Sequence, residues 1–298
     1  MTLPTSVDLR PAVDKVEDQG SLGACTAFAS TTGLGIIYER AGVHIEFSEL
    51  YQYYWTRADA NGLGKEGASP GYMMLSLQKR GVCSEESWPY VMANEEVQPP
   101  VHCDVEASQY KINSFISTSI ADLPLRNWAR KLLASGTPIM ISFNVRQAFI
   151  DQVGAITDWH HSPYPLTGPI IGGHEVCVIG YDDATEMFLI QNSWGPDWGD
   201  GGFWGLSYFN FEAVPTSIFS ITSCGVPFVP LAFQPPPTPP VPTASSTVKE
   251  LLDYIYITQF KRTAEPAGVA YWSAVMLQQM TSMIRAGAQG SDKDVMPP

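Results

Sequence analysis

Between Pro230 and Pro242 the chain reads PLAFQPPPTPPVP, seven prolines in thirteen residues, followed by Thr-Ala-Ser-Ser. Each proline fixes φ and lacks a backbone donor. The stretch therefore enters neither a helix interior nor a central strand and reads as an extended, semi-rigid polyproline II linker. The 298 residues divide into a body of 1–229, a linker of 230–246 and a tail of 247–298. The tail holds two runs with apolar residues at helical spacing, VKELLDYIYITQF and AYWSAVMLQQMTSMI, and is too short to bury much core by itself.

The body reads helices first and strands later. TAFASTTGLGIIYER, just after Cys25, places small and apolar residues at helical spacing through Arg40. SELYQYYWTRAD starts on Ser48 as an N-cap, and a third helix opens at Pro70 and stops at Gly81. A fourth, LRNWARKLLASG, closes at Gly136. Strand-like runs follow: PIMISFNV, EVCVIGYDD, EMFLIQNSW and GGFWGLSYF. This order predicts an α+β fold whose helical and β-rich halves meet at a cleft.

Charge and composition remove whole classes of function. Net charge is -13 and no Lys/Arg cluster is present, so nucleic acid is not an expected partner. No stretch approaches the ~18–20 consecutive apolar residues of a membrane helix, so no membrane insertion is expected. The opening residues MTLPTSVDLRPAVDK lack a basic start followed by an apolar run, so no signal peptide is read there, and localisation stays open. Five cysteines without a C-x-x-C and five dispersed histidines give no metal site, and no cofactor is expected. A monomer is the expected state.

The chemistry gathers at three points. Cys25 stands at the entrance of an apolar helix, where unpaired N–H groups and the helix dipole favour a thiolate, although a lone cysteine is more often a small core hydrophobe. His174, after two glycines, opens an apolar strand, and Asn192 lies eighteen residues on, before a glycine-rich turn. Nucleophile, base and a residue to orient the base are what a cysteine nucleophile needs.

In this order, and with Gln19 six residues before the cysteine, these residues resemble the papain family of cysteine peptidases. VDLRPAVDKVEDQGSLGACTAFA is similar to the family's mature N-terminus. GVCSEESWPY resembles its G-V-x-x-E-x-x-Y-P-Y segment with Trp88 at the first aromatic, and NSWGPDWGDGGFW resembles N-S-W-G-x-x-W-G-x-x-G-Y. The resemblance runs from about residue 5 to about residue 228. It implies a papain-like two-lobed fold and a cysteine endopeptidase acting on protein or peptide substrates through a Cys25 thiolate and a His174 imidazolium; the helix start and His174 should depress the Cys25 pKa to about 3–7. It also implies Asn192 orienting the imidazole under the cover of Trp194, and an oxyanion hole of the Gln19 amide and the Cys25 N–H. Gly67 and Ala68 fall where the family holds the substrate backbone, and Gly173 and Glu175 flank the histidine on the same cleft.

Departures from the pattern are informative. Leu22 and Thr26 replace the first cysteine and the aromatic of C-G-[SA]-C-[WY], which removes a disulfide typical of eukaryotic members and points to a bacterial or viral branch. The spacings of 149 residues to His174 and 167 to Asn192 suggest an inserted surface loop, with DWHHSPYPLTGP the candidate. Should the protein be exported, Cys83 and Cys103 are the expected bridge, with Cys177 buried and reduced. Glu175 admits two readings: a carboxylate in a substrate pocket, or, by strand alternation, a residue facing away to meet an internal Lys or Arg. KRTAEPAGVAYW in the tail resembles a small helical module of bacterial surface proteins, which implies attachment to a surface or partner. Acyl transfer or deamidation of the transglutaminase kind, and a non-catalytic binding protein on the same fold, are the alternatives carried forward.

Overall fold

A computed structural model describes residues 3–118, 125–151, 156–162, 164 and 167–231. Most of the expected linker, the tail and the two helices expected in it, and part of the expected 158–169 insertion lie outside the described residues. One compact unit spans Ser6–Ala232.

Its spine is α1 (Cys25–Arg40), of which eleven residues are buried, including Ala27, Phe28, Leu34, Ile36 and Ile37. A helix without a broad polar face belongs inside a protein. Two of its buried hydroxyls are matched, Ser30 donating to the Ala27 carbonyl at 3.0 Å and Thr31 to Glu49 Oε1 at 2.8 Å, while Thr26 Oγ1 is buried without a partner among the described residues. Gly33 allows close approach to the sheet, since a Cβ there would lie 3.0 Å from Met140 Sδ. Beside α1 pack α2 (Glu49–Asp59) and α3 (Pro70–Lys79). The Ser48 side chain accepts from the Tyr51 N–H at 3.1 Å, capping α2 as its sequence implies. A short α4 (Val101–Ala107) also forms; its two turns are too brief for periodicity to reveal.

The rest is one antiparallel sheet with α5 (Leu125–Ala134), α6 (Gln147–Asp151) and α7 (Tyr208–Phe211) in its connections. The strands are β1 (Ser6–Asp8), β2 (Ile112–Thr118), β3 (Ile139–Arg146), β4 (Ile170–Asp182), β5 (Met187–Gln191), β6 (Phe203–Ser207) and β7 (Pro215–Cys224). Their order is β2-β7-β3-β4-β5-β6, with β1 pairing β4. One face of the sheet packs aromatic residues, among them Phe143, Phe149, Tyr164 and Trp204. Met140 and Phe219 join Leu34, Tyr51 and Leu77 of the helices in a second core.

Three boundaries differ from the sequence reading. β4 starts at Ile170, so His174 sits inside a strand rather than at its opening. The strand read through Trp194 ends at Gln191. The run read as a strand through Phe209 stops at Ser207, whose hydroxyl accepts from the Asn210 N–H at 3.2 Å and caps α7. β1 and β2 also precede the expected strands; three residues carry no alternation to read.

Candidate active site

Cys25 is the first residue of α1, so its own N–H lies among those that the helix leaves without an acceptor. Its partly buried side chain borders a cleft of about 800 Å³, shared with Gln19, Gly67, Ala68, Gly173, His174, Glu175 and Trp194. Every residue singled out from the sequence except Asn192 thus borders one cavity, and Asn192 lies directly behind His174.

The geometry assigns the imidazole tautomer. His174 Nε2 is 2.7 Å from Asn192 Oδ1, and the same oxygen accepts from the Ser193 N–H at 2.9 Å. A backbone N–H can only donate, so the Asn192 amide is oriented with its oxygen toward both groups. His174 Nε2 therefore carries hydrogen, and in the neutral ring Nδ1 is the basic nitrogen. Trp194 stacks on the ring at a centroid distance of 4.6 Å, and Phe143 meets it edge-on at 5.7 Å. These rings exclude water from the His174–Asn192 bond.

Gln19 is held as firmly. Its Nε2 donates to the Leu22 carbonyl at 2.8 Å, its Oε1 accepts from the Ser193 hydroxyl at 2.6 Å, and its backbone N–H donates to the Ser193 carbonyl at 2.9 Å. The second Nε2 hydrogen is left over, and Gln19 borders the cleft. Tyr90 adds a further tie, its hydroxyl donating to the Gln19 carbonyl at 2.9 Å. Ser193 and Tyr90 were not selected from the sequence, because only the fold brings them against Gln19.

Burial acts against ionisation of both central groups. It pushes the Cys25 thiol up to about 11, with the Glu175 carboxylate adding to the shift and the N–H groups of Glu175 and Thr26 opposing it. Burial also holds His174 down to about 4, opposed by the Asn192 hydrogen bond. Burial therefore acts against the expected depression of the Cys25 pKa to about 3–7. The helix start is present, but loss of water outweighs it.

The remaining residues divide as follows. Gly67 has φ +82°, and its N–H donates to the Tyr53 hydroxyl at 3.3 Å; Ala68 follows it along the rim. Gly173 has no atom within 4 Å of where a Cβ would stand, which leaves its backbone open. Glu175 does lie across β4 from His174, weighing on Cys25 and Cys177 while His174 meets Phe143 and Trp194. Yet it borders the cleft, and its Oε2 is buried without a partner. The expected internal cation is absent among the described residues. Leu22 packs with Ala24, Phe28, Leu50 and Met73 in an apolar cluster. All five cysteines are free thiols, Cys83 and Cys103 lie side by side and fully buried, and Cys177 is buried and reduced.

The sequence profile of the papain family cysteine proteases matches residues 3–215. The chain belongs to the papain family. An uncharacterized peptidase C1-like protein of Acanthamoeba polyphaga mimivirus is 31% identical over 210 residues, covering 68% of this chain and 67% of that protein. The cathepsin B-like CP3 of Giardia intestinalis is 29% identical over 210 residues, covering 67% and 68%. Among solved structures, xylellain, a cysteine protease from Xylella fastidiosa, superposes with a TM-score of 0.67 at 26% identity over 74% of this chain and 87% of that one. The α+β architecture is thus the papain-like fold, and the protein is a papain-like cysteine peptidase, a hydrolase.

Proposed function

We propose that this papain-family member is an endopeptidase in which Cys25 attacks the peptide carbonyl, His174 moves the proton, and Gln19 with the Cys25 N–H receives the developing oxyanion. The observation that carries the reading is the oriented Asn192 amide, which commits the Nε2 hydrogen of His174 and makes Nδ1 the base.

Neither group ionises readily alone, because each loses water on burial. Transfer of the thiol proton to Nδ1 creates both charges at once, and each then offsets the other's desolvation. The thiolate adds to the carbonyl carbon. The oxyanion is met by the second Gln19 Nε2 hydrogen and the backbone N–H of Cys25. His174 then gives its proton to the leaving amine, and the new amino terminus departs. Water attacks the resulting thioester with its proton passing to Nδ1, the acid is released, and the thiol is restored.

Gly67, Ala68 and Gly173 would hold the extended substrate backbone, with Trp194 as a wall beside the histidine. Peptide hydrolysis is tested with an unfolded protein and fluorogenic peptides, with and without an amine acceptor, alongside Cys25→Ala. New internal termini that vanish in Cys25→Ala support the reading. Amine incorporation or ammonia release without new termini would move it to acyl transfer or deamidation, and inertness to a binding role.

A further inference from the structure

The strands β7, β3 and β4 bring three polar residues into one row. Ser217 pairs with Ser142, and Ser142 pairs with Glu175. Directly paired residues on adjacent strands project from the same face with Cβ atoms about 5 Å apart. All three border the cleft that holds Cys25. The next rung on that face is apolar, with Phe219, Met140 and Cys177 in the corresponding positions. A carboxylate and two hydroxyls therefore stand above an apolar layer, at the wall of a substrate cleft.

Among the described residues, Glu175 Oε2 and Ser142 Oγ are not used by the protein itself. Glu175 is 3% exposed and Ser142 is 9% exposed, and neither Glu175 Oε2 nor Ser142 Oγ has a hydrogen-bond partner. Two cations border the cleft, Arg57 and Lys65, and Arg57 is engaged with Glu96, the Glu95 carbonyl and the Tyr53 ring. Burial alone raises the Glu175 carboxyl, to about 8, with no cation to offset it. A buried carboxylate and an unpartnered hydroxyl in a cleft are stabilised by a ligand that brings donors and positive charge.

We infer that the row Glu175, Ser142 and Ser217 is a side-chain pocket of the cleft selecting peptide substrates with a basic residue, arginine above lysine. A guanidinium presents only donors in a planar fork, which suits a carboxylate flanked by hydroxyls better than an ammonium does. The inference rests on the cleft being the peptide-binding site, and deepens that reading by naming the substrate class.

The test is binding, so that it does not depend on turnover. Cys25→Ala protein is titrated calorimetrically with peptides carrying arginine, or its uncharged isostere citrulline, at each position in turn. At one position arginine should bind at least about tenfold more tightly. That advantage should fall below about twofold in Cys25→Ala with Glu175→Gln, and shrink in Cys25→Ala with Ser142→Ala, which keeps the test alive if the first double variant does not fold. Equal binding of arginine and citrulline at every position overturns the pocket but leaves the peptidase reading standing. An advantage unchanged by Glu175→Gln also overturns it. Binding of no peptide, together with no cleavage by the wild type, overturns both.

Discussion

At Cys25 the helix start and the loss of water act in opposite directions, and the thiol ends near 11 because desolvation of a charge costs more than a few N–H groups return. Reactivity near neutral pH must then come from His174. Iodoacetamide is expected to label Cys25 at pH 7 faster than the four buried cysteines, by about tenfold or more. In His174→Ala the pH 7 rate should collapse and its inflection climb toward that of an isolated buried thiol. Labelling at pH 7 that His174→Ala leaves unchanged would show that the thiolate forms without the imidazole. Glu175 supplies a second residue-scale prediction. Its carboxyl holds a proton more tightly folded, at about 8, than at its ordinary value of 4.5. Its contribution to stability is therefore fully present below pH 4.5 and is lost as pH rises through 8. Between pH 5 and pH 9 the wild type should lose roughly 4 kcal/mol more than Glu175→Gln, measured by urea unfolding at both values. Equal losses would mean that this carboxyl titrates normally.

Among the elements, α1 and β4 do most to place the site, since one carries Cys25 at its first residue and the other carries His174, Glu175 and the open Gly173. β1 holds the far end of β4: Leu9 donates to the Ile179 carbonyl at 3.0 Å, and Val7 pairs with Tyr181. This contact needs a glycine at 180, because a Cβ there would lie 2.2 Å from the Val7 carbonyl oxygen, a backbone atom that cannot rotate away. Gly180→Ala is expected to cost about 1–3 kcal/mol and to free β1, seen as faster hydrogen exchange at the Leu9 amide. Unchanged exchange with unchanged stability would mean that β1 does not depend on this close approach.

For the whole molecule, the question is where the folded body ends. The compact unit closes at Ala232, and Leu231 packs against the sheet core while Val229 accepts from Arg40 Nη2 at 2.5 Å. A cut after Val229, at the boundary read from the prolines, would remove Leu231 from that core, so the cut belongs after Ala232. Protein 1–232 is expected to keep the melting temperature and peptide turnover of the full chain, checked by calorimetry and the fluorogenic assay. A large loss of either would make residues 233–298 part of the catalytic body.

Much of the site was legible without coordinates. Cys25, His174, Asn192 and Gln19 stand in local segments whose residue types are tied to chemistry, and the cap at Ser48 and the proline start at Pro70 declare their helices through neighbours in the chain. What remained hidden depends on groups far apart in sequence. The direction of the Cys25 and His174 pKa shifts depends on how much water the packed cleft excludes, which no local pattern encodes. The role of Ser193 depends on the return of its segment to Gln19, 174 residues away. Strand alternation correctly placed Glu175 across from His174 but could not say that the cleft reaches it there, nor that Ser142 and Ser217 stand beside it. Sequence by itself determined which residues could react and where the prolines forbid regular structure, because both follow from side-chain chemistry and local backbone geometry. Only the tertiary structure decided which of them lose water and which acceptors are left unpaired, because desolvation is a property of everything that packs around a group.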